Sequence, residues 1–418
     1  MLRNRYRWLV CGLLALATII NYVDRQVLAI LSASPDFQRI TGFGTVEYGY
    51  AHSVFQLAYA VALPLAGRLV DRVGTRLGYL IIMAFWSLAD MAHALASGAR
   101  SFFVARFALG LGEAGCFPTN IKTIAEWFPR HERALATGWL NAGASAGAVI
   151  APLLVPYIYA HHGWRLCFVL TGLVGFVWMI AWARLVGPPG AHPRVSESER
   201  SHIQSDRDLP ASALGWREIL GRRQTWGIVL AKGLTDPIWM FYLAWLPRLL
   251  ADRHGVTIGT LSWPLAAVYL LSDAGSVAGG WLAGRLIARG NSVAQSRRTV
   301  MWIAALLSLP MLQADQATEL WALVALVGLA TAAHQAWSSN LFSLASDLFP
   351  RTAVARVVGL AGAAGSLGAV LFHAVTGHIV NATGSYRPLL IAAALAYLVA
   401  WFALRALLRP ARSPFVAG

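Results

Sequence analysis

The chain has 418 residues, 57% of them hydrophobic and 13% charged, with a mean hydropathy of +0.56 and a formal net charge of +15. Soluble globular domains carry about 25% charged residues, so that class is excluded. Apolar runs near 20 residues recur from end to end and read as a polytopic, all-α membrane protein. The positive charge does not mark a nucleic-acid binder, because most Lys and Arg fall in alternate loops and in the termini, the positive-inside bias of a multi-span chain.

The opening MLRNRYRWLVCGLLALATII is basic and then apolar, as in a signal peptide. No small-residue cleavage site follows, and the run continues into polar NYVDRQ, which predicts a retained first helix. Twelve spans fit, at about 8–31, 47–70, 77–97, 101–127, 133–158, 164–187, 223–250, 258–287, 298–315, 319–347, 353–380 and 386–408, with both termini cytoplasmic. The longest polar stretch, GPPGAHPRVSESERSHIQSDRDLPASALGWREILGRR, separates spans six and seven. Its SESER and WREIL segments have helix-start and amphipathic character. The layout predicts an N-terminal six-helix bundle over 1–187, a cytoplasmic loop over 188–222 and a C-terminal six-helix bundle over 223–418. Two pseudo-symmetric halves with a midplane substrate site are the plan of transporters built from repeats.

Span one carries Asn21, Tyr22, Asp24, Arg25 and Gln26 within an apolar run. Asp24 and Arg25 are neighbours and point about 100° apart, so they do not satisfy each other face to face. Two arrangements are open: a polar cluster at the helix end, or Asp24 against Arg106 of span four with Arg25 free to face a cavity. The loop after span two, GRLVDRVGTRLG, contains Gly67, Asp71, Arg72, Gly74 and Arg76. Its glycines permit a tight turn, and Asp71 with Arg72 and Arg76 can pair across helix ends. GGWLAGRLIARG after span eight keeps Gly and Arg without the acid. Asp90 and His93 in span three are one turn apart and receive no role.

Span four, ARFALGLGEAGCFPTNIKTIAEW, places Arg106 and Glu113 inside an apolar stretch. Seven residues turn through about 700°, so the two share one face about 10.5 Å apart, too far for a direct salt bridge. Each therefore needs another partner. An intramembrane charge costs on the order of 2.5–3.5 kcal/mol on insertion scales and is a functional candidate by default, although a structural ion-pair network is the competing explanation. Gly110, Gly112 and Gly115 nearby suit close helix packing. In span seven Lys232 and Asp236 lie on one face four residues apart; either they neutralise each other or Lys232 is a second cation for an anion. Asn141, His334, Gln335, Ser339 and Asn340 can hydrogen-bond sugar hydroxyls or neighbouring helices. The three cysteines, Cys11, Cys116 and Cys167, show no CxxC or Cys/His spacing, so neither a disulfide framework nor a metal site is expected.

GRLVDRVGTR resembles the signature loop of the major facilitator superfamily. NYVDRQVLAI, RFALGLGEAGCFPTNIKTIAEWFPRHERALATGWLNAGASAGAVIAPLL and AHQAWSSNLFSLASDLF resemble its anion:cation symporter family. Within that family these stretches look most like hexuronate transporters, and DPIWMFYLAWLP in span seven also resembles that branch. The resemblance implies a multi-pass inner-membrane carrier, working as a monomer without a cofactor, that couples protons to import of a small organic anion. It implies that Asp24 and Glu113 bind protons, that Arg25 and Arg106 bind the anion and couple it, and that Tyr22 and Tyr59 line the pocket. His52 matches a span-two histidine of vesicular glutamate carriers in that family. At Ala144, Phe342 and Ser366 the chain departs from the glutamine, tryptophan and asparagine of galactonate-type carriers, which disfavours a galactonate-like pose.

Drug efflux in the same fold would call for acids and aromatics without buried arginines. A membrane-embedded transferase would need a catalytic constellation, and neither GxxxxGK[ST] nor HExxH occurs. The short loops leave little room for an ATP-binding domain. Proton-driven import of a hexuronate or related sugar acid is the leading expectation, with aldonates, aldarates and aromatic acids as alternatives.

Overall fold

The computed structural model describes residues 5–205 and 215–408, so part of the central linker, 206–214, and both chain ends lie outside the described residues. Every regular element among the described residues is helical. In order these are α1 (Tyr6–Leu31), α2 (Pro35–Thr41), α3 (Thr45–Ala92), α4 (Ala99–Glu113), α5 (Cys116–Trp127), α6 (Arg130–His162), α7 (Trp164–Leu185), α8 (Glu197–Gln204), α9 (Trp216–Gly221), α10 (Arg223–His254), α11 (Ser262–Ala288), α12 (Val293–Leu307), α13 (Leu320–Leu348), α14 (Arg351–Thr383) and α15 (Arg387–Leu407). Eight helical runs among the described residues are long and apolar enough to cross a membrane. One of them, Thr45–Leu95, covers both spans expected at 47–70 and 77–97. The two are separated at Gly74, whose φ of +81° and ψ of 164° only glycine adopts without strain.

The stretch expected as one span at 101–127 is instead two helices, α4 and α5, broken at Ala114–Gly115. A tertiary contact and a proline account for the break. Gly115 packs against Ile82 so closely that a Cβ would lie 2.6 Å from its Cδ1, and Pro118 lacks the N–H that would continue the ladder back to Ala114. SESER and WREIL form the short helices α8 and α9; Ser196 caps α8 by accepting a hydrogen bond from the Glu199 N–H at 3.2 Å.

The chain divides into two compact units, the first of Met1–Leu209, Leu243–Tyr269 and His373–Thr383, the second of Pro210–Tyr242, Leu270–Phe372 and Gly384–Gly418. In the first unit α3 packs on α4 and α7, and α1 packs on α6. Its core includes two tryptophans whose indole N–H groups find backbone acceptors. Trp178 donates to the Leu13 carbonyl at 2.8 Å and Trp182 to the Arg76 carbonyl at 3.1 Å, with their rings stacked 4.9 Å apart. A buried N–H without a partner would cost on the order of 1–3 kcal/mol. Cys11, Cys116 and Cys167 are free and buried. In the second unit α12 packs on α13, and Trp302 and Trp401 meet at 4.4 Å.

The loop motif pairs differently from expectation. Asp71 binds Lys122 of α5 at 2.7 Å rather than Arg72 or Arg76; Arg76 donates to the Ala183 carbonyl at 2.5 Å, and Arg72 is exposed. The turn at Gly74 aims Asp71 at α5, where Lys122 also reaches the Val70 carbonyl at 3.0 Å. Gly67 has open space around its Cα and meets no packing demand.

Candidate functional site

In the first unit α1 and α4 bring four charged side chains into the interior. Arg106 and Glu113 are wholly buried, as their helical spacing predicts for residues on one face. The partner Glu113 needs is Arg25: both its Nε and its Nη2 donate to Glu113 Oε2, at 2.9 and 2.8 Å, while Nη2 also reaches Asn21 Oδ1 at 3.4 Å. Three aromatic rings surround that guanidinium, Tyr22 at 5.5 Å, Phe55 at 5.2 Å and Tyr59 at 5.2 Å. Such contacts hold a cation that has left water without neutralising it. Glu113 Oε1 has no hydrogen-bond partner among the described residues.

Arg106 is held more loosely. Its guanidinium lies over the Phe55 ring at 4.9 Å, and its Nη2 is 3.5 Å from both the Arg25 carbonyl and His52 Nδ1. Its Nε and Nη1 have no hydrogen-bond partner among the described residues. A buried guanidinium with most of its five donors idle is a demand for an acceptor-rich anion. The α3–α4 contact that positions it is close: a Cβ on Gly110 would lie 2.4 Å from the Phe55 carbonyl oxygen.

Asp24 does not pair with Arg106. It is fully buried and accepts from the indole N–H of Trp86 at 2.6 Å, leaving Oδ1 unpartnered. Trp86 was not a sequence candidate; an aromatic in an apolar run carries no signal of a polar role.

His52 sits between Tyr48 and His373, with ring centroids at 4.7 and 5.3 Å. Trp245 donates to His373 Nδ1 at 3.2 Å, and Tyr48 gives its hydroxyl hydrogen to the Ala244 carbonyl. A buried aromatic and imidazole group thus lies on one side of Arg106, and His373 within it went unread in the sequence. Asn141, on α6, is exposed and joins no hydrogen bond among the described residues.

The second unit carries its own polar group. Lys232 pairs directly with Asp236 at 2.7 Å, and its Nζ also lies 4.3 Å from the Phe342 ring centroid. His334 is committed to packing: it stacks on Trp239 at 5.0 Å and exchanges a 2.8 Å hydrogen bond with Tyr397. Ser339 donates back to the Ala336 carbonyl at 3.2 Å, and Asn340 donates to the Ala336 and Gly279 carbonyls at 2.9 and 3.3 Å. These serve helix contacts. Gln335 is half-buried and makes no hydrogen bond among the described residues. No cluster of three or more His, Cys, Asp or Glu that could hold a metal occurs among the described residues.

A family model described as Major Facilitator Superfamily matches residues 14–295. Over 410 residues the chain is 32% identical to the hexuronate transporter of Escherichia coli K12, covering 96% of this chain and 94% of that one. It is 32% identical over 281 residues to the galacturonate transporter of Dickeya chrysanthemi, 66% of this chain and 81% of that one. It is 29% identical over 403 residues to the D-galactonate transporter of Escherichia coli O6:H1, 93% of this chain and 92% of that one. Among solved structures, a bacterial homologue of the human lysosomal transporter Spinster, inward-facing and unoccupied, is similar with a TM-score of 0.73 and 18% identity over 96% of this chain and 95% of that one, a likeness of fold.

Proposed function

The chain belongs to the major facilitator superfamily of multi-pass membrane transporters, and from that premise we propose that it imports a hexuronate or related sugar acid together with protons by alternating access. The observation that carries the anion is Arg106, buried over the Phe55 ring beside His52 with its Nε and Nη1 unpartnered among the described residues. A sugar-acid carboxylate brings two oxygens to such a fork, and the pairing is planar and charge-assisted. Relatives named for hexuronate, galacturonate and galactonate support this chemical class.

Coupling follows from Arg25 and Glu113. While Glu113 is ionised it occupies Arg25. A proton on Glu113 weakens that grip and releases a second guanidinium toward an arriving carboxylate, whose like-charge repulsion from Glu113 is removed in the same event. Asp24, held by Trp86, is the second proton-binding acid in this reading. Tyr22 and Tyr59 present hydroxyls and ring faces to the sugar. An acid-lined exporter of cationic drugs would not leave arginine donors idle in its interior.

The test is uptake of labelled glucuronate and galacturonate into proteoliposomes holding purified protein, with an inward-directed proton gradient, competed in turn by aldonates, aldarates and aromatic acids. Accumulation that collapses with a protonophore and is competed best by a hexuronate is the expected result. Accumulation indifferent to the proton gradient would remove the coupling, and strongest competition by another acid class would reassign the substrate.

A further inference from the structure

Asp90 takes no part in the site described above, yet it is wholly buried. It stands on α3 one turn beyond Trp86, so the two side chains share a face about 6 Å apart along the axis. Trp86 gives its indole N–H to Asp24, and Asp90 Oδ2 lies 2.8 Å from Thr171 Oγ1 of α7. Asp24 and Thr171 line one mostly apolar cavity of about 390 Å³, walled also by Ile20, Val23, Leu154 and Val174. The titratable and charged groups around Asp90 are Asp24 of α1, Arg106 and Glu113 of α4, Cys167 of α7, and His93 one turn along α3. His93 Nδ1 is engaged with the Ala89 and Asp90 carbonyls at 3.0 and 3.1 Å. No ion pair to Asp90 forms among the described residues, and its Oδ1 has no partner.

Counting hydrogens decides its state. Thr171 has one hydroxyl hydrogen, but its Oγ1 lies 2.8 Å from Asp90 Oδ2 and 2.8 Å from the Cys167 carbonyl oxygen. An ionised Asp90 would offer no hydrogen, so one of those close contacts would go without, and a buried anion would rest on a single neutral donor. Burying a carboxylate so poorly solvated is strongly unfavourable. A protonated Asp90 donates its own O–H to Thr171 Oγ1, and Thr171 donates to Cys167. Both contacts are then hydrogen bonds.

We propose that Asp90 is a proton-holding carboxyl coupled to Asp24, so that α1, α3 and α7 together form a two-acid proton site. Both acids are buried away from water, so their charges are poorly screened and each titrates in the presence of the other's charge. The coupling matters for transport only if Asp24 carries protons as proposed above; the proton on Asp90 stands apart from that reading.

The test is infrared spectroscopy of the reconstituted full chain in H2O and D2O across a pH series, comparing wild type with Asp90→Asn and Asp24→Asn. No substrate is added, so the outcome does not depend on what is carried. Asn keeps the size of the acid, and its amide donates to Thr171 as the carboxylic acid does, so the fold is expected to survive, checked by its thermal unfolding. Wild type at neutral pH should show a deuteration-sensitive protonated-carboxyl band with a component absent from Asp90→Asn. In Asp24→Asn that component should persist, with the pH at which it disappears displaced. Identical bands in wild type and Asp90→Asn would mean Asp90 is ionised and would overturn the proposal. A component indifferent to Asp24→Asn would overturn the coupling.

Discussion

Arg25 holds Glu113 by one oxygen: Nε and Nη2 both converge on Oε2, and Oε1 is bare. A pair built for permanence would use both oxygens in parallel. The lopsided grip leaves a bare oxygen on Glu113 where a proton can arrive and weaken the hold on Arg25, and it links the protonation of α4 to the orientation of a cation on α1.

Replacing Glu113 by Gln should therefore separate binding from coupling. Gln imitates the protonated acid in shape but releases no proton. The variant is expected to bind substrate and exchange it in counterflow at zero gradient, yet to lose accumulation under an imposed pH gradient. Concentrative uptake equal to wild type would make Glu113 structural.

Arg106→Lys should abolish measurable uptake while leaving the protein folded. Ammonium is a point charge without the planar fork, and the loss of one charge-assisted hydrogen bond, about 1.5–3 kcal/mol, corresponds to roughly 10–100-fold in affinity. Substrate-induced thermal shift and uptake should fall together. Retained uptake in a well-expressed variant would show that Arg106 does not hold the carboxylate bidentately.

On the first unit's polar edge, Arg7 bridges Glu132 at 2.7 Å and Glu199 at 3.1 Å, while His202 reaches Glu132 at 2.9 Å. Burial opposes the charge on Glu132, but hydrogen bonds and charge from Arg7 and His202 prevail and hold its carboxyl below the usual range. Since the folded-state value is depressed, this contribution is present above the unfolded-state pKa of about 4.3 and disappears as pH falls through the lower folded-state value. Glu132→Gln should lower the unfolding temperature at pH 7, by a destabilisation on the order of 1–2 kcal/mol. The gap to wild type should close below about pH 4. A constant gap across that range would mean that the interaction is not charge-dependent.

Gly112→Ala should damage both stability and uptake. Its added Cβ would meet the Cβ, Cα and N of Trp86 at 2.7, 2.8 and 3.0 Å, and backbone cannot swing aside. Overpacking of this kind costs about 1–3 kcal/mol, and the shift would pull Trp86 from Asp24. Gly67→Ala is the control, because nothing lies within 4 Å of its Cβ position; it should be neutral or slightly stabilising by helix propensity. Equal behaviour of the two variants would contradict the tight α3–α4 contact.

Helix positions were legible because an apolar run of bilayer length has few other structural outcomes. The inward placement of Arg106 and Glu113 was legible from their spacing. Their partners were not. Periodicity says which residues share a face of one helix, never which other helix that face meets, so the sequence leaves Arg106 open as a partner of Asp24, whose donor is Trp86 from α3. The break at Ala114–Gly115 depends on Ile82 pressing on Gly115, a contact between residues 33 positions apart. For the same reason Asp90 has no legible role in the sequence: only the fold shows that Thr171 faces it.

Cys11, Cys116 and Cys167 are all closed off from solvent. Thiolate, not thiol, reacts with alkylating reagents, and a water-excluded sulfur does so slowly. The native chain is thus its own silent background for single-cysteine labelling. Any reactivity at Cys116, whose sulfur lies 3.4 Å from the Tyr79 hydroxyl and 3.6 Å from Asn120 Nδ2, would report a state in which α5 has parted from α3.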